Sequence, residues 1–121
     1  MALEKIIAEG NRPAYTPFET YDARLEASAS NNIVCADGFT LSVIAGAGTY
    51  CSPRPDLIED MEGFTGPFTA VEVGFPSDRP EPWSEWEEWC ESPENPTSTV
   101  YGQVPVAAVR ALVALHGGEQ A

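Results

Sequence analysis

Cys35, Cys51, Cys90 and His116 are the residues of this 121-residue chain whose types best suit a metal ion. Three thiolates and a neutral imidazole would complete the tetrahedron of a Cys3His zinc site. Their spacing argues against it: there is no Cys-x-x-Cys pair, and each thiol stands among apolar or aromatic neighbours, where a buried cysteine is ordinary. A Cys–His nucleophile pair has no third group near it in sequence to orient the imidazole. Gly46-Ala47-Gly48 follows an apolar run, as phosphate-binding loops do, but the Lys-Ser/Thr of a P-loop is missing, so it reads as a turn. The 19 acidic residues make accidental carboxylate pairs certain, which removes their value as a glycosidase signal. No Asp-x-Asp-x-Asp-Gly calcium loop occurs. The expectation is a protein with no catalytic residue, no metal and no cofactor; the alternative is a small metal-dependent enzyme with a site assembled from distant residues.

The most unusual composition lies between Asp78 and Glu94. This segment holds Asp78, Glu81, Glu85, Glu87, Glu88, Glu91 and Glu94 against a single base, Arg79, together with all three tryptophans of the chain, Trp83, Trp86 and Trp89. Read as a helix over 82–91, at about 100° per residue, it places the tryptophans and Cys90 on one side and Glu85, Glu87, Glu88 and Glu91 on the other. Tryptophans of about 150 to 250 Å² each would anchor the inner side. Carboxylates three and four residues apart lie about 5 to 6 Å from one another, close to the phosphate spacing of a nucleic-acid strand. A second acidic group, Asp56, Glu59, Asp60 and Glu62, sits in the long connection from Gly46 to Pro67 and would extend the same surface if it folds alongside. The plainer reading is a solvated helix face, and a salt-adapted source would also account for the acidity.

Composition sets the frame for that surface. At this length one ordinary domain is expected, and 43% apolar residues argue against wholesale disorder. A formal net charge of −13 repels phosphate and anionic lipid, so neither nucleic acid nor a membrane is expected as a direct ligand. No apolar run reaches the roughly 18 to 20 residues that span a bilayer. The first ten residues carry Glu4 and Glu9 and lack the basic start of a secretory signal, which points to the cytoplasm.

The elements follow from hydrophobic period and punctuation. Residues 1–30 read as a peripheral N-terminal helical arm: Leu3, Ile6 and Ile7 precede Gly10, and Thr16-Pro17-Phe18-Glu19 is a capping box before a second helix over 17–27. Residues 31–121 then form a single α+β domain. Ile33–Ala36, Asp37-Gly38 and Phe39–Ile44 predict a hairpin with positive φ at both turn residues. A third strand over 68–75 places Thr69, Val71, Val73 and Phe75 on one side, and a fourth lies in 97–104. Pro105, then Val106, Val109, Leu112, Val113 and Leu115, then Gly117-Gly118, give a helix with a start, a stripe and a stop. With four alanines elsewhere, this helix should be packed round most of its circumference. The fold expected is α+β, a mainly antiparallel sheet of three to four strands covered by the C-terminal helix. Its core should include Leu41, Val43, Val71, Val73, Val109, Leu112 and Val113.

The runs DGFTLSVIAGAGTYCSPRP (37–55), FTAVEVGFPS (68–77) and TVYGQVPVAAVRALVALHGG (99–118) resemble small acidic proteins carried by tailed bacteriophages and prophages, over 34–118. That group offers no catalytic motif to carry over. The resemblance implies a setting, the cytoplasm of an infected bacterium, where short phage proteins often bind and block a host protein. The function expected is inhibition of a basic, nucleic-acid-binding host protein, an anti-defence or DNA-mimic role, through Glu85, Glu87, Glu88, Glu91 and Asp56, Glu59, Asp60, Glu62. The partner would be a host or phage protein with a basic surface. The alternative is a virion accessory or self-associating structural protein, in which a homo-oligomer would form.

Overall fold

The computed structural model describes residues 2–11, 32–46, 49–53 and 67–120. Helix α1 (Ala2–Glu9) is followed by strands β1 (Asn32–Val34), β2 (Thr40–Ile44) and β3 (Ala70–Gly74). A short helix α2 (Trp83–Trp86) runs into a 3-10 turn (Glu87–Trp89). Strand β4 (Val100–Pro105) and helix α3 (Val106–Leu115) complete the order. The four strands form one antiparallel sheet in the order β1-β2-β3-β4, so the fold is α+β as expected.

Alternation decides which face of this sheet is buried. Ile33, Leu41, Val43, Val71, Val73, Tyr101 and Val104 are each no more than 1% exposed, whereas Ser42, Ile44 and Glu72 are half-buried. The inward residues form one core with Val109, Leu112 and Val113 of α3, Trp86 of α2, and Leu3, Ile6 and Ile7 of α1. All seven anticipated core residues are buried. An N-terminal helix is present, and it is less peripheral than expected: its three apolar residues are part of the core, and the Glu119 carboxylate accepts the amides of Ala2 (3.1 Å) and Leu3 (3.3 Å). Gly10 ends it with φ +72 and its amide bonded to the Ile6 carbonyl; a Cβ there would stand 2.9 Å from the Ala45 carbonyl oxygen. The capping box at Thr16 and the helix over 17–27 lie outside the described residues.

Three expectations are corrected by the backbone. The β1-β2 turn holds three residues, not two: Cys35 donates to the Phe39 carbonyl, Gly38 to the Cys35 carbonyl, and of the turn residues only Gly38 has positive φ, at 94°. This is the three-residue hairpin with a left-handed third position, in which a side chain such as Asp37 keeps ordinary φ. Phe75 does not continue the inner face of β3. With φ at 49° it swings outward, 61% exposed, and Pro76 takes the buried place. Helix α3 is not packed all round, since Ala107, Arg110, Ala111, Ala114 and Leu115 are exposed.

Strand β4 carries an irregularity that pattern alone does not reveal. Val71 faces Val104 and Val73 faces Tyr101, so β4 places three steps where β3 places two. The extra residue of this bulge allows both Tyr101 and Val104 to point inward, which simple alternation forbids. Gln103, at φ 54°, absorbs the bend, and its groups hold the loop before β3: its amide donates to the Tyr50 carbonyl (2.9 Å), its Nε2 to the Cys51 carbonyl (2.8 Å), and its Oε1 accepts from Ser52 Oγ.

Candidate functional site

The acidic segment is held by its aromatic side. Trp86 is 1% exposed and meets Tyr101 at 5.6 Å and Trp89 at 5.3 Å, both edge to face; Trp83 meets Tyr101 at 6.5 Å. The expected ten-residue helix is shorter than its pattern suggested. Four α-helical residues give way to a 3-10 turn, whose three-residue repeat aligns Trp86 with Trp89 on one edge. Cys90 then turns extended and bridges to Tyr101, and the Glu91 amide donates to the Val100 carbonyl. Glu85 therefore lies on α2, Glu87 and Glu88 on the 3-10 turn, and Glu91 in a bend beside β4. All four are exposed.

Pro82 offers no cap for α2, and Glu81 supplies one instead: its Oε2 accepts the Trp83 amide at 3.0 Å. Its Oε1 takes Arg79 Nη2 at 3.0 Å and Nε at 3.2 Å, while the guanidinium stands 5.4 Å from the Trp83 ring centre. The Arg79 bonds, then the Trp83 amide, hold the Glu81 carboxyl below its ordinary range. Asp56, Glu59, Asp60 and Glu62 lie outside the described residues.

The four candidate zinc ligands are not gathered at one point, although Cys35 and His116 both belong to the surroundings of the β1-β2 turn. Cys35 closes the β1-β2 turn, and burial, then Asp37 and Glu119, push its thiol up. Cys51 is buried in the loop before β3, with Sγ 3.4 Å from the Gly46 carbonyl oxygen and 3.3 Å from that of Pro53. Cys90 adjoins Tyr101; burial and then Cys90 raise the Tyr101 hydroxyl, which donates to the Pro96 carbonyl at 2.6 Å. His116 ends α3 with its ring stacked on Phe39 (3.9 Å, 5° between planes) and Nδ1 2.6 Å from Asp37 Oδ2. Among the described residues no group of three His, Cys, Asp or Glu side chains is placed to hold a metal ion.

No family model, curated protein or solved structure matches this chain. Beside the acidic segment lies a feature that the amino-acid pattern did not announce, an open groove of about 340 Å³ between α2 and α3. One wall is Ala107, Ala108, Ala111 and Leu115; the other is Pro82 and Trp86, with Glu81 and Glu85 at the edge. The apolar all-round character of α3 was a signal for it, read as burial when one flank is open. Among the described residues no helix is long and apolar enough to cross a membrane.

Proposed function

We propose that this chain is a non-enzymatic binding protein whose Glu85, Glu87, Glu88 and Glu91 face occupies a basic, nucleic-acid-binding surface of a host protein and competes with its DNA or RNA. The observation that carries this reading is the combination of four exposed carboxylates with a buried tryptophan anchor at Trp86, which holds the segment in place before a partner arrives. Pre-ordering of this kind reduces the conformational entropy lost on binding. The net charge of −13 supports the same choice of partner, because it favours a basic protein and opposes nucleic acid as a direct ligand. The cytoplasm of an infected bacterium is the setting that the phage-like segments propose, with an anti-defence role.

Recovery of the tagged protein from such a cell, followed by identification of what accompanies it, tests the reading directly. A basic nucleic-acid-binding protein is the expected companion; recovery of virion components would replace the inhibitor with a structural accessory. Reversal of Glu85, Glu87, Glu88 and Glu91 to lysine should slow association with that companion and leave the fold intact, since all four positions are exposed. Raising salt above about 0.15 M, where charges are screened within about 8 Å, should weaken the parent complex. An unchanged rate and affinity in the fourfold variant would reduce the acidic face to a solvated surface.

A further inference from the structure

Helix α3 is apolar round nearly its whole circumference, and a helix of that composition is normally buried on every side. Here Val109, Leu112 and Val113 face the core, while Ala107, Ala111, Ala114 and Leu115 are exposed, Leu115 by 62%. Arg110, on the flank toward α1, is tied to Glu4 by two bonds of 2.8 Å. The opposite flank is the apolar wall of the groove, and Trp86 stands behind its far side. The small side chains of Ala107 and Ala111 leave room for an incoming group, and Leu115 gives it an apolar surface to cover.

Charge selects the occupant. Glu81 and Glu85 stand at the edge of the groove, and Glu87 and Glu88 follow on the same segment. A second copy of this chain would bring the same edge and another −13 against it. We propose that the groove between α2 and α3 receives an apolar side chain from a lysine- or arginine-rich helix of the basic partner, with Glu85 pairing a cation that flanks it while Glu81 stays with Arg79 and the Trp83 amide. This rests on the acidic-face reading and adds to it an apolar anchor, the kind of buried central contact that carries most of the energy in protein interfaces.

Labelled peptides about four helical turns long test it by fluorescence anisotropy: one of leucine and lysine at helical spacing, one with alanine for leucine, and one with glutamine for lysine. The leucine–lysine peptide should bind the parent about tenfold more tightly than the alanine–lysine peptide, as one buried leucine allows. Ala111→Gln and, separately, Leu115→Ala, both at exposed positions and checked for folding by thermal unfolding, should remove that margin and leave alanine–lysine binding unchanged. If the margin is absent, or survives both substitutions, the groove proposal fails while the acidic face stands. If the alanine–lysine peptide binds the parent and the fourfold lysine variant equally, the acidic face fails, and with it the pairing of a flanking cation. Equal binding of the leucine–glutamine peptide would overturn the basic partner in favour of any apolar ligand. A dimer in sedimentation that Ala111→Gln dissolves would give the groove to a second copy.

Discussion

Asp37 ties two ends of the domain together at the level of single atoms. One carboxylate oxygen accepts the Phe39 amide at 2.9 Å and the other meets His116 Nδ1, so the hairpin turn and the end of α3 share one side chain. The Phe39 amide first, and His116 second, hold its carboxyl below the ordinary value. A depressed folded pKa contributes stability above the unfolded value of about 3.9, and that stability is lost as pH falls through the folded value. Asp37→Asn should therefore be less stable than the parent at neutral pH and should show a flatter loss below about pH 4. Denaturant midpoints from pH 7 to pH 2 measure this, and a parent–variant gap that stays constant across the range would refute it. The Asp-Gly pair was legible as a turn, but the stacking of His116 on Phe39 was not, because it joins residues 77 positions apart.

At the level of elements, neighbouring positions on α3 should behave oppositely. Leu112 is 1% exposed in the core, and Leu112→Ala should cost about 2 to 5 kcal/mol and shift the denaturant midpoint accordingly. Ala111→Gln, one residue away on the open flank, should leave that midpoint nearly unchanged. An unshifted midpoint for Leu112→Ala would mean that α3 is not packed on the sheet. The existence of α3 could be read from Pro105, the apolar stripe and Gly117, and the hairpin and third strand from turn residues and alternation. Which side of α3 would stay open could not, since an apolar circumference gives no preference until neighbours are placed. The bulge at Gln103 escaped for a related reason: it exists to bring Tyr101 and Val104 to one face, a demand set by partner strand and core rather than by β4 itself. Likewise the exposure of Glu85, Glu87, Glu88 and Glu91 was legible from composition, whereas the groove needs two helices more than fifteen residues apart to meet.

Over the whole molecule, charge and topology act together. Among the described residues, the acidic side chains lie outside a core built mostly from β-branched, leucine and aromatic residues, so the charge of Glu85, Glu87, Glu88 and Glu91 can be altered without touching what holds the sheet, which is why the fourfold glutamate variant is a fair test. The bond between Glu119 and the first amides of α1 has another consequence. It brings the beginning and the end of the described chain to one point, so the path of the backbone is nearly a closed ring. A circular permutant, with a short glycine–serine bridge joining residue 121 to residue 1 and new ends cut between Pro93 and Glu94 in an exposed turn, should retain the parent's circular dichroism and cooperative melting. In that rearranged gene the acidic segment would become the C-terminal tail of the protein, still seated on Tyr101 but encoded far from it.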